Sequence, residues 1–101
     1  LSDEFSAVLG RRQTMRGGHV VMYYAPNGRV VARLGLIVGR KADRRAVGRN
    51  LFKRIVREAF RAVRMELPPF DVVMRPLAQL RNIKRSELRS DVDNLLSRLA
   101  H

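Results

Sequence analysis

The sequence predicts an α+β domain, a two-layer α/β sandwich on one sheet, with elements in the order α-β-β-β-α-β-α. Three observations carry this. Residues 19–25 are rich in β-branched and aromatic side chains, residues 29–38 are nearly continuously apolar apart from Arg33, and the two flank the turn formers Pro26-Asn27-Gly28. Residues 46–65 sort apolar and charged side chains onto opposite sides at the helical period. A further strand-like run, residues 70–74, follows that helix, so strands lie on both sides of it in the chain.

The elements can be justified in order. Ser2 caps a short helix whose first turn carries Asp3 and Glu4, where the helix dipole favours acids. Phe5, Val8 and Leu9 share a face, and Gly10 stops it. Residues 11–15 offer a short edge strand, and Gly17-Gly18 breaks the chain. Asn27-Gly28 is the strongest short hairpin signal, so the strands before and after it are expected to pair. Residues 39–45 form a basic loop. Leu67-Pro68-Pro69 ends the long helix, because proline removes a donor and restricts the residue before it. Near Ser86 a last helix opens, with Leu88, Val92, Leu95, Leu96 and Leu99 on its apolar face.

The 101 residues suit a single domain spanning 1–101 with one modest core. Twenty-one lysines and arginines against nine acids give a net charge of +12, which points to a polyanionic partner. The chain has no cysteine, so it has neither a disulfide nor a thiolate metal site. No apolar run approaches the roughly 18 residues a membrane span needs. The N-terminal residues lack a basic region followed by a long apolar stretch. A cytoplasmic protein without a membrane partner is expected.

The long helix holds most of the charge. With Arg49 set at zero and about 100° per residue, Lys53, Arg54, Arg57, Arg61 and Arg64 fall within an arc of roughly 140°. Leu51, Phe52, Ile55, Val56, Ala59 and Val63 fill the opposite arc, with Phe60 at the boundary. Arg45, Arg49, Lys53, Arg57 and Arg61 make an i,i+4 row of one sign. A merely solvated face usually mixes signs, since like pairs at this spacing repel by a few tenths of a kcal/mol, roughly. With Arg40, Lys41 and Arg44 of the preceding loop, residues 40–64 carry ten basic residues against Asp43 and Glu58. Arginine predominates, which suits bidentate phosphate contacts. Base readout in a DNA groove would call for more Asn, Gln, Ser or Thr, and only Asn50 qualifies.

No hydrolytic constellation stands out. Asp43, Glu66 and Asp71 are isolated in sequence, and His19 and His101 are the only histidines. Glu87 and Asp91 are i,i+4 on the last helix and read as an exposed acidic face rather than a cation site. Tyr23 and Tyr24 point to opposite sides of their strand, one toward the core and one available to stack on an unpaired base.

The run Arg49-Asn50-Leu51-Phe52-Lys53-Arg54 followed by Arg57-Glu58-Ala59-Phe60-Arg61 resembles the helix motif of the bacterial ribonuclease P protein component. Leu34-Gly35-Leu36-Ile37-Val38 with Arg40-Lys41, Arg44-Arg45-Ala46, Leu67-Pro68 before Asp71-Val72-Val73, and the leucine-rich closing helix match in order and spacing. The resemblance covers nearly the whole chain. It implies a ribosomal-protein-like fold with a left-handed crossover from residues 29–38 through the long helix to residues 70–74, against the usual right-handed rule.

It also implies an auxiliary role. A catalytic RNA subunit, using Mg²⁺, removes the 5′ leader of precursor tRNA, and the protein itself binds no cofactor, holds no metal and supplies no catalytic residue. Arg49, Asn50, Lys53, Arg54, Arg57 and Arg61 fall on the RNA-binding helix, and Arg40, Lys41, Arg44 and Arg45 on the basic loop. Phe5, Tyr23 and Arg75 match positions of a cleft for the single-stranded leader, expected between the basic helix and the sheet. Leu9 stands where a second cleft phenylalanine is common, and Leu51 where a basic residue is frequent. The implied partners are ribonuclease P RNA and precursor tRNA, with no obligate protein partner. The rival reading is a ribosomal-protein-like domain that binds ribosomal RNA and plays no part in tRNA processing.

Overall fold

The sheet is completed by its last strand in sequence, which inserts between two earlier ones. The structure, a computed structural model, describes residues 13–100. The helix expected to start at Ser2, and with it Phe5 and Leu9, lies outside the described residues. Four strands, β1 (Gln13–Arg16), β2 (Val20–Pro26), β3 (Arg33–Leu36) and β4 (Phe70–Pro76), form one sheet in the order β1-β2-β4-β3. Two helices, α1 (Ala46–Val63) and α2 (Arg85–Ala100), pack on it, and a 3-10 turn, Arg64–Glu66, follows α1.

The expected hairpin between β2 and β3 is a turn but not a pairing. Gly28 takes the positive φ of 67° that such a turn requires. Asn27 uses its side chain locally and across the sheet: its Nδ2 donates to the Val31 carbonyl at 3.1 Å and to Asp71 Oδ1 at 3.1 Å, and its Oδ1 accepts the Arg29 N–H at 2.8 Å. The chain is thereby carried past its neighbour, and β4 fills the gap. β2 pairs with β4 antiparallel, in register Met22↔Met74 and Tyr24↔Val72. β3 pairs with β4 parallel, in register Leu34↔Val72 and Leu36↔Met74, so the strands are not all antiparallel. The β3-α1-β4 passage is the parallel crossover expected. β3 is also shorter than the apolar run of residues 29–38: it begins at Arg33, whose guanidinium bonds Asp71 of β4, and ends at Leu36.

Alternation divides the sheet into two faces. Val20 and Met22 of β2 and Val72 and Met74 of β4 meet Phe52, Ile55, Val56, Ala59 and Phe60 of α1, and Leu88, Val92, Leu95 and Leu96 of α2. Each of these side chains other than Ala59 contributes about 1.5–3 kcal/mol on burial. Val21, Tyr23, Ala25 and Val73 form a second buried cluster on the other face, which among the described residues contains nothing from either helix. Leu99 of α2 and Phe70 of β4 are half-buried at the margins of the main core.

Three aspartates fasten the connections. Asp91 of α2 accepts backbone N–H groups from Gly18 at 2.8 Å, His19 at 2.9 Å and Val20 at 2.9 Å, clamping the β1–β2 turn to the helix. Gly17 is needed there because a Cβ would overlap the Asp91 carboxylate. Glu87 sits 3.4 Å from His19 Nε2. The acidic pair on α2 is therefore neither a cation site nor a purely solvated face, but a tie to the turn. Asp71, 3% exposed, accepts from Arg33 Nε at 2.8 Å and from Asn27. Burial alone pushes the Asp71 carboxyl up, but the hydrogen bonds from Arg33 and Asn27 and the Arg33 charge outweigh it, leaving its pKa below the usual carboxylate value. Asp43, just before α1, bonds Arg45 at the entry to that helix.

Candidate nucleic-acid interface

The basic face is made by the way α1 is seated. Phe60 lies 6% exposed, so the buried arc extends past the boundary that a helical wheel assigns it. That rotation brings Arg49 to the seam between buried and exposed sides. Its guanidinium does not point to solvent: Nη1 donates to the Asp43 carbonyl at 2.9 Å and to the Arg44 carbonyl at 2.9 Å, bracing the basic loop against the helix. Lys53, one turn on, is half-buried. Asn50, Arg54, Arg57 and Arg61 are exposed and form a ridge at i, i+4, i+7 and i+11.

Arg64 drops out of the face. The chain tightens to a 3-10 turn there, and its Nε donates to the buried Ala32 carbonyl at 3.0 Å. Arg45 is also engaged: Nε and Nη2 bond the two oxygens of Asp43 at 3.1 and 3.0 Å, while its backbone N–H donates to Asp43 Oδ1 at 2.9 Å. These bonds from Arg45 hold the Asp43 carboxyl below the usual range. Gly48 makes room for that carboxylate, since a Cβ would overlap it. The one-sign row of the sequence is thus divided. Arg45 and Arg49 shape the entry to the helix, and Lys53, Arg57 and Arg61 remain without an ion pair among the described residues, as do Arg40, Lys41 and Arg44. The first turn of α1 contains no acid of its own, but the Asp43 carboxylate lies against it at Gly48 and so meets the positive end of its dipole.

Tyr23 and Arg75 stand elsewhere. In the β2–β4 register Tyr23 faces with Val73, and Val21 with Arg75, all on the face opposite α1. They share no cleft with the basic helix, because odd-numbered residues of β2 and β4 point away from it. The Arg75 Nη2 donates to the Tyr23 hydroxyl at 2.6 Å, and its guanidinium carbon lies 5.5 Å from the ring centroid. Tyr23 is 9% exposed, so it presents little ring surface and acts chiefly to hold the exposed Arg75. Tyr24 packs into the main core beside Phe70, with ring centroids 6.0 Å apart.

Charge patterning missed Gln79, Arg81 and Arg85. Arg81 and Gln79 face the basic loop across a basin, and Arg85 lies with Arg54 along the α1–α2 groove. They lie within residues 79–85, well after the basic helix in sequence, so only the fold joins them to it. Among the described residues, no three His, Asp or Glu side chains gather as a metal site would require.

A model of the Ribonuclease P family matches residues 1–100. The chain belongs to the ribonuclease P protein family. It is 42% identical over 98 residues to the ribonuclease P protein component of Azoarcus sp. (strain BH72), covering 97% of this chain and 82% of that one. The RNase P protein from Thermotoga maritima, solved in complex with 1-(4-fluorophenyl)-2-thiourea, superposes with a TM-score of 0.83 at 31% identity, covering 94% of this chain and 92% of the other. The Staphylococcus aureus RNase P protein gives a TM-score of 0.88 across 100% of this chain and 94% of its own; at 19% identity this bears on the fold alone. As a ribonuclease P protein the chain is a subunit of the ribonuclease that processes tRNA, and not a ribosomal-RNA-binding domain of similar architecture. No helix among the described residues is long and apolar enough to cross a membrane.

Proposed function

We propose that the chain grips the ribonuclease P RNA through the α1 ridge and the basic loop, and steadies the single-stranded 5′ leader of precursor tRNA on the other sheet face at Arg75. Asn50, Lys53, Arg54, Arg57 and Arg61 supply the helix contacts, and Arg40, Lys41 and Arg44 those of the loop. Arg45 and Arg49 hold the loop in place, each keeping some donors for phosphate. Tyr23 positions Arg75. Phosphate contacts carry little base information, which suits a cytoplasmic factor that handles many precursors. The scissile step belongs to the RNA and the Mg²⁺ bound by its phosphates, and this chain lends positive charge rather than a nucleophile.

The observation that carries this reading is a row of unpaired cations on the solvent side of α1, whose other side is locked in the core. If about six phosphates are neutralised, log affinity falls with log salt at a slope near −4 for a single strand. The test is to add the chain to ribonuclease P RNA and a precursor tRNA at low Mg²⁺. Cleavage should rise, and no gain would overturn the proposal. Lys53→Glu with Arg57→Glu should lower RNA affinity by over tenfold with an unchanged circular dichroism spectrum.

A further inference from the structure

The connection from β4 to α2, residues 77–84, is held against the basic loop. Leu80 is buried, and its N–H donates to the Ala42 carbonyl at 2.8 Å. The next residues form a tight turn: the Ile83 N–H returns to the Leu80 carbonyl at 3.2 Å, and Asn82 takes a φ of 70°. A positive φ at the third position is what a type II turn requires, and asparagine tolerates it better than most residues. With Leu80 and Ile83 drawn inward, Arg81 is left exposed at the corner of the turn.

Arg81 and Gln79 thereby become one wall of a basin of about 990 Å³, with Arg40, Lys41 and Arg44 on the other. Asp43 lies in the basin, but its carboxylate is already engaged by Arg45. Arg40, Lys41, Arg44 and Arg81 make no ion pair among the described residues. Four unneutralised cations around a concavity repel one another and concentrate anions. The basin leads directly into the first turn of α1, so a ligand there is continuous with the ridge beyond it.

We infer that Gln79 and Arg81 are a second wall of the RNA interface, gripping a ribose–phosphate backbone from the side opposite the basic loop. Arg81 bonds a phosphate oxygen, and the Gln79 amide bonds a phosphate or ribose oxygen. Contacts from two walls confine the strand to one path, which a flat basic face does not. This rests on the proposal that the loop and α1 bind RNA.

The experiment compares Arg81→Glu, Arg81→Ala and Lys53→Glu/Arg57→Glu with Arg98→Glu, a charge-matched change at the far end of α2. Two titrations are made: the chain with ribonuclease P RNA, and the assembled holoenzyme with precursor tRNA. Arg81→Glu should weaken binding over fivefold and flatten the salt slope by about 0.7–0.9, while Arg98→Glu stays within about twofold. A loss in the first titration assigns the basin to the RNA subunit, and a loss confined to the second assigns it to the precursor; either supports the second wall. Equal effects of Arg81→Glu and Arg98→Glu, or no effect of Arg81→Ala, would overturn it. If Lys53→Glu/Arg57→Glu loses affinity while the Arg81 variants do not, the second wall alone falls. If that pair is also silent, the α1 reading falls with it.

Discussion

Replacing Asp91 by alanine tests the clamp between α2 and the β1–β2 turn. The change removes one acceptor from three backbone donors, Gly18, His19 and Val20, at 2.8–2.9 Å. The Gly18 N–H is exposed, so water replaces its partner. The His19 and Val20 donors are partly buried and lose a charged acceptor. At about 1–1.5 kcal/mol each, the cost is about 2–3 kcal/mol. For a domain of this size that lowers the melting temperature by roughly 10–20 °C. Asp91→Asn keeps one acceptor oxygen and should lose about half as much. The assay is thermal unfolding followed by far-ultraviolet circular dichroism near neutral pH. Gly17→Ala should mimic the loss, because its methyl group would displace the carboxylate. In an Asp91→Ala background the same methyl should cost little, giving a strongly non-additive double-mutant cycle. An Asp91→Ala protein that melts within about 2 °C of the parent, or a cycle that adds, would refute the clamp.

Other outcomes follow from the remaining contacts. Asp71→Ala removes a buried acceptor shared by Arg33 and Asn27 and should cost about 2–3 kcal/mol at neutral pH. Because the folded pKa of Asp71 is depressed, its contribution is present above the unfolded value of about 3.9 and disappears as pH falls through the folded value. Urea titrations across acid pH should show the gap between parent and variant closing. Gly48→Ala ought to gain about 1 kcal/mol by helix propensity, yet it should lower the melting temperature because the methyl group meets Asp43, and Asp43→Ala should restore the gain. Tyr23→Phe removes the hydroxyl that holds Arg75, so holoenzyme affinity for precursor should fall about 3–10-fold while affinity for leaderless tRNA holds.

The helices were legible because their signals are local. Four leucines and a valine at helical spacing need no knowledge of what they pack on, and neither does a cation stripe. The strand order was not legible, because Asn27-Gly28 specifies a reversal while β4, more than forty residues on, decides who pairs with whom. The helical period shows the basic stripe but not which of its guanidiniums are already engaged. Arg45 and Arg64 are exposed, but how many donors they and Arg49 keep free depends on Asp43, on two loop carbonyls and on Ala32, none of which the helical period encodes. Asp91 looked like half of an i,i+4 acidic pair, yet its partners lie 71–73 residues away. Gly17-Gly18 marked a permissive backbone without indicating that a carboxylate would fill it.

The late insertion of β4 sets an order for synthesis. Until residues 70–76 have left the ribosome, β2 and β3 have no strand to join them and α1 has no finished platform to lie on. A nascent chain stalled before that point would expose its arginines on an unanchored segment, beside the most abundant RNA in the cell. Closure of the sheet leaves those cations exposed but fixes their spacing, so a rigid ridge exists only once the last strand is in place.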